Sequence, residues 1–186
     1  MKKERAYRKI DKKIYFVLFL VIAIAILNAI FSTFVIRKSQ NITSDIVNNT
    51  NPSLEALAKA NLMVTQSRML ITNWVYLPEN KADKEKLSAL NNIEFYTLQA
   101  KIKSLMPFWE HRENISKMDK VFDDYKKLIS YENQITRQLV TFDDYQDPMK
   151  KFAAEDLIET QIIPRSQAIA NLLLSKIGRA SCRERV

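Results

Sequence analysis

The chain has 186 residues, with 29 Lys and Arg against 21 Asp and Glu, a single Gly and a single Cys. One cysteine excludes a disulfide framework, and one glycine leaves little of the turn vocabulary that an all-β protein needs. The net charge of +8 points to nucleic acid only until it is apportioned: residues 1–13 hold +5, Arg37 and Lys38 +2 and the last ten residues +2, so residues 39–176 sum to −1 and carry no basic stripe for a nucleic-acid partner.

The first thirteen residues carry seven Lys or Arg (Lys2, Lys3, Arg5, Arg8, Lys9, Lys12, Lys13) against Glu4 and Asp11. Twenty-three residues without a charge follow, Ile14 to Ile36. At about 1.5 Å of rise per residue a helix of that length crosses a hydrocarbon layer of roughly 30 Å with some tilt. A cleaved signal peptide has a shorter apolar region and a small-residue cleavage site, whereas this stretch ends in Phe34-Val35-Ile36. It therefore predicts an uncleaved transmembrane helix. Positive charge beside a span stays in the cytoplasm, which puts the N-terminus inside and the chain from about Ser39 outside. Asn28, Ser32 and Thr33 lie within the span, where they can face a second helix or lipid.

Residues 39–176 contain no Gly, and their prolines stand at 52, 78, 107, 148 and 164. Three prolines fall in short polar breaks, Leu77-Pro-Glu-Asn80, Met106-Pro-Phe108 and Asp143-Asp-Tyr-Gln-Asp-Pro148. These breaks predict four helical pieces of about 40, 25, 29 and 29 residues, and short connections make them antiparallel neighbours. The expected fold is all-α: an N-terminal transmembrane helix and an antiparallel up-down four-helix bundle.

In the first piece Leu57, Val64 and Ile71 recur every seven residues, interleaved with Leu54, Asn61, Arg68 and Val75. A second stripe, Met63, Leu70, Trp74 and Leu77, suggests either two partners for this helix or one broad buried face. The second piece offers Leu87, Leu90, Leu98, Ile102 and Leu105 to the core. The third has the clearest heptad seam: Val121, Leu128, Ile135 and Phe142, with Met118, Tyr125, Glu132 and Leu139. The fourth offers Phe152, Ile158, Ile162, Ile169 and Leu173. Asn80, Asn114 and Asp147-Pro148 read as helix starts.

The last ten residues, 177–186, hold both the Gly and the Cys and have no apolar period. They resemble the in-frame translation of a sequencing adapter and are read as non-native, so Cys182 carries no redox meaning. The bundle domain is then 37–176 and incomplete at its C-terminal end. Opposing the first and fourth helices from their distal ends puts Arg37 level with about residue 187, where a second span is expected.

The order of span and helices resembles the four-helix-bundle sensor module of bacterial methyl-accepting chemotaxis proteins and sensor histidine kinases. The resemblance covers about residues 13–176 and includes Asn51-Pro-Ser-Leu54, Met69-Leu-Ile-Thr-Asn-Trp-Val-Tyr76, and Asp156-Leu-Ile-Glu159 ahead of Ile163-Pro-Arg165. It implies a homodimer in the bacterial inner membrane, with the bundle periplasmic or extracellular. It also implies that binding of a small molecule or a periplasmic protein shifts a helix and passes the signal to a cytoplasmic output domain. The alternative is a single-span, membrane-anchored helical scaffold or adaptor of an envelope complex.

No enzyme signature is present: there is no glycine-rich phosphate loop and no His or Cys cluster with metal spacing. No catalytic residue, metal or cofactor is expected. His111, the single histidine, sits in the polar connection 107–114, where it is a surface residue or a pH sensor. Trp109 beside it covers the near end of the core or meets lipid headgroups. Arg68 and Glu132 occupy seam positions that should be apolar, at depths within roughly two residues, about 3 Å. Asp156 and Glu159 of the fourth helix fall at the same level. The four form the candidate ligand-binding set, with Arg68 holding a ligand carboxylate, or else they make a structural ion pair. Pro52 and Pro164 interrupt long helices and are hinge candidates.

Overall fold

The computed structural model describes residues 2–109 and 111–174, with side chains from Ile14 onward. The segment 177–186, with Cys182, lies outside the described residues, as do the side chains of the basic N-terminus. Among the described residues there is no strand. The described residues form eight α-helices: α1 Lys2–Asp45, α2 Asn51–Tyr76, α3 Lys81–Ala89, α4 Phe95–Leu105, α5 Arg112–Gln138, α6 Phe142–Gln146, α7 Pro148–Leu157 and α8 Ile163–Leu172. Three π turns, Ile46–Thr50, Leu90–Glu94 and Ile158–Ile162, and a 3-10 turn, Met106–Phe108, join some of them. The chain divides into two units, one ending at Asn48 and the other beginning at Asn49.

The first unit is α1. Its apolar window has a mean hydropathy of 2.8 with none of the window buried, and the helix is long and apolar enough to cross a membrane. Thr33 donates its hydroxyl to the carbonyl of Ala29 at 2.8 Å, so this polar group inside the apolar stretch is satisfied within its own helix.

The second unit is built around α2, which packs against α3, α4, α5, α7 and α8. Ala56, Leu57, Ala60, Met63, Val64, Leu70, Ile71 and Val75 of α2 are all buried in one cluster. The two stripes read from the sequence are thus one broad face. Small residues at 56, 60 and 67 let neighbouring helices approach between the larger ones. Helix α5 supplies the opposite wall with Met118, Val121, Phe122, Tyr125, Leu128 and Ile135. Leu139 continues the seam at the C-cap.

Several expectations fail locally. The second and fourth rods are each divided by a π turn, and the break 143–148 contains a further short helix, α6. Phe142 does not extend the α5 seam: Thr141 starts α6 with a capping box, its hydroxyl accepting from the Asp144 N–H while Asp144 accepts from the Thr141 N–H. Phe142 is consequently exposed. Phe152 is exposed as well, at 68%, because the buried face of α7 runs through Ala154 instead. Asn80 and Asp147 do cap α3 and α7, Asp147 accepting from Met149 and Lys150 with Pro148 as the first helical residue. Helix α5, however, starts at Arg112 with exposed His111 at the N-cap, and Asn114 is buried.

Two tryptophans close the ends of the core. At one end Trp74 Nε1 donates to the Leu139 carbonyl at 3.1 Å and Tyr145 donates to the Trp74 carbonyl at 3.0 Å. Lys84 Nζ lies 4.9 Å from the centre of the Trp74 ring and 5.1 Å from that of Tyr145, tying α2, α3, α5 and α6 together. At the other end Trp109 packs on the core and its Nε1 donates to Ser53 Oγ at 3.0 Å.

Leu128 is fully buried, so Leu128→Ala should cost about 2–5 kcal/mol in urea unfolding followed by circular dichroism. Exposed Phe152→Ala should change stability by less than about 0.5 kcal/mol in the same assay.

Candidate functional site

The α5 seam places Glu132 one heptad after Tyr125, in the middle of the buried face. Its side chain is fully buried. Ser67 of α2 donates its hydroxyl to Oε1 in a short hydrogen bond, and Asn91 Nδ2 donates to Oε2 at 2.7 Å. Asn91 reaches the core from the π turn Leu90–Glu94, four residues after buried Leu87 and four before buried Phe95. Tyr125 stacks on Phe95, ring centres 4.6 Å apart. Its hydroxyl lies close enough to Ser67 for that side chain to act on its pKa, yet outside ordinary hydrogen-bond geometry, and Asn91 Oδ1 is buried without a partner.

No cation joins this layer: among the described residues Glu132 forms no ion pair. Burial therefore pushes its carboxyl up to about 7, against the bonds from Ser67 and Asn91 that pull it down. Burial, and then the nearby Glu132, push the Tyr125 phenol above its usual range, while Ser67 acts in the opposite direction.

The four residues singled out from the sequence do not converge. Glu132 alone occupies the interior. Arg68 is half-buried and lines a groove of about 230 Å³ between α2 and α8 with Thr65, Ser166, Gln167 and Asn171. Asp156 and Glu159 are exposed. Glu159 and Glu155 lie close enough to Tyr76 to raise its pKa, after burial as the first cause. Depth along the bundle sets a residue's height but not its direction around the helix axis. Ser67 and Arg68, adjacent in the chain, point roughly 100° apart, so one meets Glu132 and the other faces α8.

Ser67 and Asn91 were missed by sequence reasoning, yet both carry a signal. Ser67 lies three and four residues from Val64, Met63, Leu70 and Ile71, and Asn91 lies four from Leu87 and Phe95. A polar residue on the apolar face of each of three segments marks a polar layer. Pro52 falls in the first turn of α2 after the π turn Ile46–Thr50, and Pro164 in the first turn of α8 after Ile158–Ile162. A π turn ahead of each proline accommodates the missing N–H and the ring that would strike the carbonyl four residues back. Among the described residues no group of His, Cys, Asp and Glu of metal-binding size occurs.

Ser67→Ala should destabilise the chain by about 1–3 kcal/mol at pH 8, because it leaves Oε1 of a buried carboxylate unmet. In a Glu132→Leu background the same change should cost less, with a coupling of about 0.5 kcal/mol or more in a double-mutant cycle.

Comparison with protein-family models, with curated proteins and with solved structures gave no match.

Proposed function

We propose that the chain is the sensory input region of a bacterial transmembrane signal-transduction receptor, of the sensor histidine kinase or chemoreceptor type. The observation that carries this is the pairing of one exposed, charge-free helical stretch, residues 14–36, with a separate helical unit that has its own continuous core. Taking α3 with α4 and α7 with α8 as one rod each, the second unit reads as four rods: α2, α3–α4, α5 and α7–α8. That is the layout of the sensor module that the sequence resembles. In this reading α1 sits in the inner membrane with its basic end in the cytoplasm, the second unit lies outside, and two copies pair.

The groove between α2 and α8 suits an anionic small molecule. Arg68 supplies the charge at one wall, and Ser166, Gln167 and Asn171 supply neutral polar groups at the other. A ligand bridging α2 and α8 would bias their relative position, and the π turns before Pro52 and Pro164 are where those helices yield most readily.

Topology tests the reading directly. Ser130 is exposed on α5, so in a Cys182→Ser background a Ser130→Cys chain should react with a membrane-impermeant maleimide in intact cells once the outer membrane is made permeable. Reaction only after the inner membrane is broken would defeat it. The DNA beyond codon 176 separates the outputs. A second apolar segment followed by a histidine-bearing helical pair and an ATP-binding domain means a kinase, and a long glycine-poor coiled coil means a chemoreceptor. A stop codon favours the membrane-anchored scaffold. For the groove, Arg68→Met should abolish the receptor's response with an unchanged urea midpoint, and full response would remove Arg68 from binding.

A further inference from the structure

The layer around Glu132 has the parts of a proton-binding site. A carboxylate only accepts hydrogen bonds, whereas a carboxylic acid must also donate one. Ser67 and Asn91 satisfy the first form as they stand, by donating to Oε1 and Oε2. The same two residues can satisfy the second. Asn91 Oδ1 is buried without a partner, and turning the amide over would present it to the O–H of the acid. Ser67 can instead accept from the acid and turn its own O–H toward the unpartnered oxygen of Tyr125. Two buried polar atoms without partners beside one buried carboxyl let this layer rearrange its hydrogen bonds between two protonation states.

The charged groups on the surrounding elements leave the carboxyl uncompensated. On α2, Arg68 faces the groove toward α8. At the end of the π turn Leu90–Glu94, Glu94 is exposed and adds negative potential at Tyr125. On α5, Asp124 pairs with Lys127 and with Arg165 of α8, each at 3.6 Å. Helices α3 and α4 bury only Leu87, Phe95, Leu98 and Ile102. Helix α7, the π turn after it and α8 bury only Ala154, Ile158, Ile162, Ser166 and Ile169.

We propose that Glu132, Ser67, Asn91 and Tyr125 form a proton-operated switch in the core, in which release of the Glu132 proton to solvent loosens the contact between α2, the π turn Leu90–Glu94 and α5. Deprotonation creates a buried anion held by neutral donors alone, and the helices that enclose it then gain by admitting water or moving apart. Asn91 is the mobile member, because its backbone is already a π turn, the helical irregularity most often found at functional positions. This device does not depend on the receptor reading, because it is a property of the core whatever the chain reports to.

The direction of the pH effect follows from linkage. The carboxyl sits near 7 in the folded chain, against about 4.5 for an unburied glutamate. Between those values the folded form holds the proton and the unfolded form does not. The contribution to stability is complete below about 4.5 and is lost as pH rises through about 7, with the unfolding constant growing toward a limit of tenfold per pH unit in that window. The test uses the full chain in detergent micelles with its single histidine replaced, His111→Gln. Urea midpoints from pH 5 to 9 should fall with rising pH in the parent and level off above about 7, and Glu132→Gln should remove that component. At pH 8 the amides of Leu90–Glu94 should exchange with deuterium faster in the parent than in Glu132→Gln. Equal pH profiles for the two chains would overturn the proposal. If Glu132→Gln does not fold, isotope-edited infrared spectra of the parent decide: a protonated Glu132 carboxyl at pH 5 that ionises near 7 supports the switch, and an ionised one at pH 5 overturns it.

Discussion

A carboxyl group without a cation can stay in a helical core only if neighbouring helices bring donors to it, and this requirement governs the second unit. Ser67 comes from α2, Asn91 from the π turn Leu90–Glu94 and Glu132 from α5. Apolar side chains tolerate small slips of one helix past another, because burial is nearly non-directional. Hydrogen bonds do not: a shift of half a turn would strand both oxygens of Glu132. The polar layer thus helps to set the register of three segments whose other core contacts are mostly apolar.

The same layer draws on the place where α3–α4 departs from a plain helix. Leu87 lies on the buried side before the π turn, Leu90 and Asn91 within it, and Phe95, Leu98 and Ile102 after it. Leu90 and Asn91 follow Leu87 by three and four residues and share its face, and Phe95, four residues beyond Asn91, stacks on Tyr125. The other two π turns have a different setting, since each ends two residues before a proline. One irregularity accommodates a missing donor, and the other delivers a donor to an acid.

The all-α class, the apolar first helix and most core positions were legible in the sequence, because they depend on period and on an absence of breakers. Met118, Tyr125, Leu128 and Ile135 are spaced as a seam and are buried as one. The failures cluster where a local signal competes with the period. Thr141 and Asp144 form a capping box that outweighs the heptad place of Phe142, and capping by Asp147 turns Phe152 outward while Ala154 goes in. Ala154, Ser67 and Asn91 were overlooked as core because each is small or polar, although their spacing from Leu and Ile neighbours matches that of the buried residues. The candidate site was legible only in Glu132. A sequence states how far along a helix a charge lies, but the direction around the axis follows from π turns and packing that no single residue announces, and that direction separates Arg68 from Glu132.

The two units bear the mark of different surroundings in how they treat similar side chains. In α5, Leu, Ile and Val on one face are buried and the opposite face is charged or polar, as packing against other helices in water demands. In residues 14–36, Leu, Ile, Val and Phe are exposed all round the helix, with no polar face to offer water. An exposed apolar surface of that extent is far larger than soluble monomers present. Thr33 returns its hydroxyl to its own backbone, so that group needs no polar neighbour. The stretch is long and apolar enough to cross a membrane, and a single neighbouring helix would cover only one side of it.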